Sequence, residues 1–419
     1  MSRPSLLLVT PIMPQRFGHG LAMRAAMLLE ALAQRFEVYL FVVPVAGDLD
    51  PASEFVLQRT ARVEILDLAA NLDPLFGLIA RVVDPDARAR AELAYPKPVL
   101  SRFCTGDSAR FLFEWGSQSA VAAVHMMRLY LAPLALPFLR QSPAQRPFCV
   151  LDLDDDDVRT CRRLMRLHRG LGNCRPAEAA AAEAEKYRML ADQYLRAFDR
   201  VLVCSENDAR RLAAAFPGTR FAVVPNGYPP LDSCRGPPSG SGPLRLLFVG
   251  TFGYFPNIDG ALFLCREVLP ALRRSTDRDI RIDLVGTGGS AGAAELARYP
   301  GVTVHGFVRD LVPFYAAADV AVVPLRAGGG TRIKILEAFA HRVPVVTTSI
   351  GAEGIDAADG EHLLIADDAE AFARACLGIK AMPELAAARV IRAAALLSAR
   401  YGPAQVDTAV GAAYSRDAG

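Results

Sequence analysis

The sequence predicts an α/β protein made of two Rossmann-like domains whose parallel sheets face a central cleft. Three observations lead to this fold class. Short apolar runs of strand length alternate with longer segments of helical periodicity, which is typical of parallel, doubly wound sheets. A stretch rich in Pro, Gly and Ser interrupts the alternation at residues 228–243, after which the alternation begins again. The chain of 419 residues is long enough for two hydrophobic cores.

The elements of the first domain, residues 1–227, follow from apolar runs and helical spacing. A helix is predicted at residues 20–34, because small and apolar residues recur on one side. A longer helix begins near Pro176, since proline suits the first helical turn. Residues 75–110 carry no clear pattern and are assigned to mixed helix and loop. The predicted strands are residues 5–10, 38–43, 63–68, 120–125, 148–153 and 200–204.

The second domain, residues 244–397, repeats the alternation without repeating the sequence. Residues 228–243 form a linker, because such a composition buries little apolar surface. Residues 398–419 end the chain, and most of them have helical spacing. Ligands of open α/β sheets bind at the carboxyl ends of the strands, so both domains can direct those ends toward one cleft. The predicted strands are residues 244–250, 281–286, 301–305, 319–325 and 343–348.

Composition excludes several broad classes of protein. Apolar residues make up 52% of the chain, but no uninterrupted apolar run approaches the roughly 18 residues of a membrane-spanning helix. The first apolar run, residues 6–9, soon meets prolines and is predicted to be a strand rather than a signal peptide. The formal net charge of +2 gives no basis for general nucleic-acid binding. We therefore expect a cytoplasmic protein with no nucleic-acid partner and with reduced, packed cysteines.

A glycine-rich loop, residues 328–330, lies between two predicted strands and carries the strongest functional signal. Glycines let the backbone approach a ligand closely because they lack a Cβ atom. Thr331 is the predicted N-cap of a helix that continues to His341. The start of such a helix offers free N–H groups and a positive dipole end, which both favour an anion. The loop therefore predicts a site for a negatively charged group.

Charged residues at the start of this helix define the anion more closely. Arg332 and Lys334 add two positive charges in the first turn. Lys334 and Glu337 are three residues apart and therefore share one face of the helix. Glycines, a helix N-terminus, two cations and one carboxylate together predict a site for a diphosphate attached to a sugar or a ribose.

The chain resembles family 4 of the retaining glycosyltransferases, which have the GT-B fold. In that family a Glu-x7-Glu motif marks this helix. Glu337 matches the second glutamate, and Gly329 stands at the position of the first. The chain is thus similar to a subgroup with a Gly-Thr-Arg-x-Lys variant of the motif. The resemblance covers most of the chain and is carried by residues 330–348, 350–355, 359–362, 248–250, 256–257, 285–288 and 306–308, and more weakly by residues 18–20, 128–133, 186–188 and 224–227.

This resemblance implies a donor-binding site. Glu337 would accept hydrogen bonds from the ribose hydroxyls, and backbone N–H groups of Gly329 and Gly330 would replace the first glutamate. Main-chain atoms around Phe307 would hold the nucleotide base. For Gly20 and Gly286 an ordinary turn is the alternative. The donor-binding residues that the resemblance implies are Gly20, Gly250, Gly286, Phe307, Val308, Gly329, Gly330, Thr331 and Glu337.

The predicted catalytic residues are Arg332, Lys334 and His125. Many family members carry an Arg and a Lys after the first strand of the second domain, whereas residues 250–257 contain neither. Arg332 and Lys334 are therefore expected to stabilise the leaving diphosphate. His125 lies where the family has a His-x-His pattern near the reacting sugar, but Met127 replaces the second histidine. A buried core histidine is the alternative for His125.

The activity that the resemblance implies is transfer of a sugar, with retention, from a nucleoside-diphosphate sugar to an acceptor hydroxyl. The acceptor would be a sugar, a lipid-linked or a small molecule, in polysaccharide or glycoconjugate biosynthesis. A hexosyltransferase of this kind needs no metal and no cofactor besides its donor, and its final helix crosses back to the first domain. Two alternatives stay open. One is an inactive nucleotide-sugar-binding protein, and the other is a same-fold hydrolase or epimerase.

Two charged stretches of the first domain have more than one interpretation. Residues 152–157 contain an Asp-x-Asp pattern, which holds a divalent metal in another class of glycosyltransferases. A solvated acidic turn and an acceptor-binding role are the alternatives. Five arginines recur at helical spacing from Arg159 to Arg169. Such a helix can rest on the inner face of a membrane, and a solvated basic face is the alternative.

Overall fold

The computed structural model describes residues 3–46, 51–231, 242–288, 290–330 and 332–415, which fall into two units. The first unit comprises the described residues up to Pro225 together with those from Val406 onwards. The second comprises Asn226–Gln405. The predicted linker at 228–243 thus begins inside the second unit, and its part at 232–241 lies outside the described residues.

The first unit is built on a seven-stranded sheet. Its strands are β1 Ser5–Thr10, β2 Glu37–Val42, β3 Arg62–Ile65, β4 Val121–Met127, β5 Phe148–Asp152, β6 Arg200–Val203 and β7 Phe221–Val223. All neighbouring strands are parallel, in the order β3-β2-β1-β4-β5-β6-β7. The order reverses between β1 and β4, so the loops that follow these two strands are neighbours.

Helices connect the strands of the first unit, and capping side chains set where several of them begin. Thr105 accepts a hydrogen bond from the Ser108 N–H at 3.0 Å, and Asp156 accepts one from the Arg159 N–H at 3.1 Å. These helices are α1 Gly20–Ala33, α2 Glu54–Leu57, α3 Pro74–Ala80, α4 Pro85–Ala94, α5 Gly106–Gly116, α6 Leu136–Leu139, α7 Asp157–Gly170, α8 Cys174–Tyr194 and α9 Glu206–Ala215.

Strand β1 shows why the strands of the first sheet appear in the sequence as continuous apolar runs. Leu6, Leu7, Leu8 and Val9 are all inaccessible to solvent. Leu7 and Val9 belong to one hydrophobic cluster, which includes side chains of α5. Leu6 and Leu8 belong to a second cluster, which includes side chains of α1. Successive residues thus point to opposite faces, and both faces are covered by helices.

The second unit repeats this topology with six strands. They are β8 Leu244–Val249, β9 Ile280–Val285, β10 Val302–Gly306, β11 Val320–Val323, β12 Val345–Thr347 and β13 Leu364–Ile365. The strands are parallel in the order β10-β9-β8-β11-β12-β13. Numbered from its own first strand, this is the order 3-2-1-4-5-6 of dinucleotide-binding domains.

The helices of the second unit and the C-terminal helix complete the fold. Helix α18 starts in the second unit, and its residues from Val406 belong to the first. Among the described helices, none is both long and apolar enough to cross a lipid bilayer. The helices are α10 Phe255–Phe263, α11 Leu269–Ser275, α12 Ser290–Leu296, α13 Val312–Ala317, α14 Ile333–Ala340, α15 Ser349–Ala352, α16 Ala369–Ala381, α17 Pro383–Leu396 and α18 Pro403–Ala413.

The predicted fold class, two Rossmann-like units with parallel sheets, is confirmed. Every predicted strand is present, with ends displaced by up to three residues. The strands β7 and β13 were not predicted, because edge strands of 3 and 2 residues are too short to show a period. The unpatterned segment at 75–110 contains most of α3, all of α4 and the start of α5.

Candidate functional site

The strand order of the second unit brings the predicted diphosphate residues to one place. The order reverses between β8 and β11, so the loop after β8 lies beside the loop after β11. The first of these loops contains Gly250, and the second contains the glycine-rich stretch and leads into α14. The carboxyl edge of the sheet at this reversal is therefore the candidate site.

Lys334, in the first turn of α14, reaches across to the loop after β8. Its Nζ donates a hydrogen bond to Oδ1 of Asn257 at 2.8 Å and lies 4.8 Å from the centroid of the Phe248 ring. A Cβ on Gly250 would come within 3.0 Å of this same Nζ atom. A glycine at position 250 therefore leaves space for the ammonium group. Packing thus explains why this predicted donor-site position holds a glycine.

The pKa of Lys334 is lowered to about 7. Burial of the ammonium group is the main cause, and the positive charge of Arg332 adds to it, whereas Glu337 acts in the opposite direction. The residue as a whole is partly exposed, but its charged end is enclosed. An enclosed cation whose proton is held this weakly gains much from a nearby anion, because the anion restores the charged form.

Arg332 precedes α14 and folds back over the glycine-rich loop. It is 9% exposed, and its Nη1 donates to the carbonyl oxygen of Gly329. Among the described residues, its Nε and Nη2 atoms have no hydrogen-bond partner. A Cβ on Gly328, which has a φ of 109°, would lie 2.9 Å from Nη2. The glycine thus makes room for a buried guanidinium with two donors unused, and such donors are costly unless a ligand takes them.

Glu337 lies one turn further along α14 and is held by two tyrosines. Its Oε1 accepts a hydrogen bond from the Tyr228 hydroxyl, and its Oε2 accepts one from the Tyr315 hydroxyl, both at 3.0 Å. Burial raises the pKa of the carboxyl above its ordinary value, although the two tyrosines and Lys334 oppose this. A carboxylate has about four acceptor positions, so each oxygen can still accept a ligand hydroxyl.

Tyr315 is itself packed against His341, the last residue of the predicted helix. Their rings are stacked, with centroids 4.2 Å apart and an interplanar angle of 6°. Burial lowers the pKa of His341 to about 4, so its ring is neutral near pH 7. Neither tyrosine was predicted, since a tyrosine far away in sequence gives no signal that it will meet Glu337.

Two residues of α10 that the sequence analysis did not assign also shape the site. Asn257 orients Lys334, as described above. Asp259, which is 2% exposed, accepts two hydrogen bonds from Arg326, at 2.9 and 2.6 Å. Arg326 belongs to the loop after β11. Helix α10 therefore holds that loop through a buried carboxylate, a pairing that becomes apparent only once β8 and β11 are adjacent.

Gly286 joins the ends of three strands. Its φ is 144°, and its N–H donates to the Gly306 oxygen at 2.8 Å, while the Gly250 N–H donates to the Val285 oxygen at 3.0 Å. A Cβ at position 286 would overlap the carbonyl oxygen of Gly250. These contacts explain Gly286 as a packing residue that supports the loop holding Gly250, which fits the alternative of an ordinary turn.

The remaining predicted donor residues of the second unit have varied surroundings. Phe307 follows β10 and is 66% exposed, and Val308 is partly buried. Gly330 has a φ of 69°, which favours glycine. Thr331 lies outside the described residues. Helix α14 begins at Ile333, and the described residue at its cap position is Arg332.

Comparison with known proteins agrees with this arrangement. Residues 243–381, about a third of the chain, match the family model described as Glycosyl transferases group 1. The sucrose-phosphate synthase of Thermosynechococcus elongatus has a TM-score of 0.67 at 18% identity, with 98% of each chain covered. Anabaena HepE, solved in complex with UDP and glucose, has a TM-score of 0.60 at 14% identity, covering 97% of this chain and 98% of that one. The protein has the GT-B fold.

Two curated proteins are similar in sequence to part of this chain. An uncharacterized 44.6 kDa protein in the cps region of Klebsiella pneumoniae is 26% identical over 205 residues, which cover 45% of this chain and 50% of that protein. A D-inositol 3-phosphate glycosyltransferase of Corynebacterium diphtheriae is 32% identical over 138 residues, covering 30% and 32%. The chain thus spans half or less of each of these relatives. Together with the family model they show that part of this chain is similar to glycosyltransferases.

His125, predicted to be catalytic, lies within the core of the first GT-B unit. Strand β4 continues two residues beyond it to Met127, so His125 is interior to the strand and inaccessible to solvent. Its Nδ1 lies 2.6 Å from the Tyr414 hydroxyl, and burial lowers its pKa to about 4. The structure therefore gives His125 a packing role beside the C-terminal segment, in line with the alternative of a core histidine.

The Asp-x-Asp stretch is engaged by arginines. Arg24 is fully buried and donates to Asp152 at 2.7 and 2.6 Å, and Arg128 donates to Asp154 at 3.1 Å. Across the described ranges, no three His, Cys, Asp or Glu side chains are arranged to hold a metal ion. The guanidinium of Arg24 is thus committed to a carboxylate.

Gly20 is the first residue of α1 and lies in the first unit. His19 caps the helix, because its Nδ1 accepts a hydrogen bond from the Leu21 N–H at 3.2 Å. Gly20 itself is exposed. Its position at a strand-to-helix turn is compatible both with phosphate binding and with the plain turn that was its alternative.

Proposed function

We propose that this protein transfers a sugar from a nucleoside-diphosphate sugar to an acceptor hydroxyl with retention of configuration. The observation that carries the proposal is that two cations, Lys334 and Arg332, lie near each other at the strand-order reversal of the second unit. Burial lowers the pKa of Lys334 to about 7, and Arg332 has two buried donor atoms without a hydrogen-bond partner among the described residues. Both features favour an anionic ligand at this point.

The two cations suit the departure of a diphosphate. As the bond between the sugar and the phosphate breaks, negative charge develops on the leaving oxygen, and Lys334 and Arg332 stabilise it. Both interactions strengthen toward the transition state, so they act on turnover more than on binding. The leaving phosphate can take the proton of the acceptor hydroxyl. This is consistent with His125, the one predicted histidine, being buried in the core.

Glu337 completes the donor site in this proposal. Its two oxygens each keep an acceptor position beside the tyrosine bond, and the ribose hydroxyls would fill these positions. Lys334 and Glu337 lie on one face of α14, so one ligand with a diphosphate next to a ribose would contact both. The base would lie toward Phe307 and Val308, past the end of β10.

The relatives support the substrate class and the pathway that we propose. HepE was solved with UDP and glucose, which supports a nucleotide sugar as donor. The relative from Klebsiella pneumoniae lies in a cps region, which supports a role in polysaccharide biosynthesis. We further propose a hexosyl donor, a sugar or lipid-linked acceptor, activity without metal and a cytoplasmic location with peripheral membrane contact.

The test is steady-state kinetics on Lys334→Ala and Arg332→Ala, after a thermal-shift panel of nucleotide sugars has identified the donor. Loss of one such donor group lowers turnover by about 10²–10³. Donor affinity is expected to fall less. Arg374→Ala, an exposed arginine on α16 of the same unit, is the matched control and should behave as the unchanged protein. Near-normal turnover in both site variants would refute the role of these cations.

A second candidate function is a nucleotide-sugar-binding protein without transferase activity. The observation that favours it is Gly329, a residue without a side chain at the position of the first motif glutamate. Such a protein would bind the donor with an affinity that depends on Glu337, yet would turn over none of a broad panel of acceptors. The same kinetic experiment therefore separates the two candidates.

A further inference from the structure

A pocket in the first unit, separate from the donor-site residues assigned above, is lined by an unusual number of arginines. It lies between α7, α8 and α9, next to the ends of β4 and β5, and has a volume of about 580 Å³. Six arginines and four aspartates line it, and much of the remaining wall is apolar. Four of those arginines belong to α7, namely Arg159, Arg162, Arg163 and Arg166.

The aspartates of the pocket are already bonded to other groups. Asp156 accepts from Arg211, Asp157 from Arg128 and Asp192 from Arg188, while Asp155 accepts from the Thr160 hydroxyl. They therefore do not neutralise every arginine around them.

Two of the arginines keep their charge uncommitted. Arg162 and Arg166 are exposed, and neither makes a hydrogen bond or ion pair with a described residue. Arg188 and, more weakly, Arg162 lower the pKa of Glu185, but that carboxylate already accepts from Arg188. The charge that remains available in the pocket is thus positive.

The spacing of these arginines is unfavourable for the helix alone. Arg162 and Arg166, which have no ion pair among the described residues, lie four positions apart, where like charges on a helix repel each other, whereas Arg159 lies 3.9 Å from Asp208. An anion held among them would remove this repulsion. The basic face of α7 also borders a half-open pocket between helices rather than a flat, fully solvated surface.

The floor of the pocket indicates the rest of the ligand. Leu153, Leu195 and Leu212 line it and are each less than 10% exposed, and Phe216 lies beside them. An apolar floor below a basic rim suits a molecule with a charged end and an apolar portion. We propose that this pocket binds a phosphate ester whose other end is apolar, and that this ester is part of the acceptor. The assignment to the acceptor rests on the proposed function.

The experiment measures binding of n-octyl phosphate to the full chain by calorimetry, below its micelle concentration. Inorganic phosphate tests the charged group alone, and neutral octyl glucoside tests the alkyl chain without the charge. The double variant Arg162→Ala/Arg166→Ala is expected to lower the affinity for octyl phosphate by about tenfold or more, since two charged hydrogen bonds are lost. Octyl phosphate should bind more tightly than either single-feature probe.

Two control variants make the result specific. Arg169→Ala removes an exposed arginine of the same helix that does not line the pocket, and it should change the affinity less than about twofold. Lys334→Ala should leave octyl phosphate binding unchanged, which excludes the site in the second unit. Unaltered binding in the double variant, an equal loss in Arg169→Ala, or binding that depends on Lys334 would each overturn the proposal.

Two further outcomes can be distinguished from binding in the pocket. One is membrane contact by α7, and the other is failure of the proposed function. If phosphatidylglycerol vesicles bind through Arg162 and Arg166 while octyl phosphate does not, α7 is a membrane contact and the pocket proposal fails. Nucleotide-sugar titration of the double variant should match the unchanged protein. A chain that binds octyl phosphate but no nucleotide sugar would refute the proposed function while leaving the pocket as an anion site.

Discussion

At the residue scale, Lys334 and Glu337 illustrate how burial changes ordinary side chains. Both lie on α14, and burial favours the neutral form of each side chain. It lowers the pKa of Lys334 and raises the pKa of Glu337. Each is then stabilised by specific partners, Asn257 for the lysine and two tyrosines for the glutamate. Residues in such a state respond strongly to a charged or hydroxyl-rich ligand, and two predictions follow from this.

Donor binding should weaken as the pH rises through about 7, the pKa of Lys334 in the folded chain. Below that pH the ammonium is charged and attracts the diphosphate. Above it the affinity should fall by up to about tenfold per pH unit, until the higher pKa of the bound form is reached. Calorimetric titrations across this range check the slope, and Lys334→Gln should be nearly flat. An affinity independent of pH in the unchanged protein would contradict the assignment.

Removing Glu337 and removing its tyrosine partner should have different consequences. Glu337→Ala deletes the charged acceptor for the ribose, which costs roughly 1.5–3 kcal/mol of donor binding. Tyr228→Phe frees Oε1 and leaves the bond from Tyr315 in place, so donor affinity should stay the same or rise. Dissociation constants for both variants, with circular dichroism as a check of folding, decide the matter. If Glu337→Ala binds the donor normally, Glu337 is only structural.

At the scale of elements, the loops after β8, β9 and β11 determine the shape of the candidate site. Gly286 ties the first two together, and Asp259 of α10 holds the third through Arg326. Each of these contacts links segments that are far apart in sequence. A change in one loop should therefore be felt in the next.

Gly286→Ala should destabilise the second unit and weaken donor binding together. The new Cβ would overlap the Gly250 oxygen, and the φ of 144° disfavours any residue with a side chain. We expect a loss of about 2–4 kcal/mol in the free energy of unfolding. Gly253→Ala is the control, because no atom lies within 4 Å of its new Cβ, and it should change stability by less than about 1 kcal/mol. Thermal and denaturant unfolding measure both, and equal stabilities would show that the loops can relax.

At the scale of the whole molecule, two units share one strand order but use it differently. The second unit has cations and glycines at its strand-order reversal. The corresponding region of the first unit has arginines paired with aspartates, including Arg24 with Asp152 and Arg128 with Asp154. Both carboxylates of the Asp-x-Asp pattern are thus engaged by positive groups.

Sugar transfer should accordingly continue without divalent metal. With Asp152 and Asp154 held by arginines, and with Lys334 and Arg332 available for the diphosphate, excess EDTA should change the turnover number by less than about twofold. The assay is run with EDTA alone and then with added Mg²⁺ or Mn²⁺. A collapse in EDTA that either metal reverses would mean that the aspartates exchange their arginine partners for a metal ion.

Much of the architecture was determined by local features of the sequence. Apolar runs such as Leu6–Leu7–Leu8–Val9 predict buried parallel strands, because both faces of such a sheet are covered. The glycine-rich stretch before α14 predicts an anion site, because the lack of Cβ atoms and the adjacent cations are visible in the sequence. Lys334 and Glu337 could be assigned to one ligand because helical spacing places them on one face.

The tertiary structure alone decided which residues meet across the chain. The sequence did not indicate that Asn257 would bond to Lys334, that Tyr228 and Tyr315 would hold Glu337, or that β4 would bury His125. The arginine-lined pocket likewise exists only because α7, α8 and α9 pack together. The physical reason is that periodicity and composition report on neighbours within a few residues, whereas burial, charge pairing and pKa depend on the order in which strands assemble.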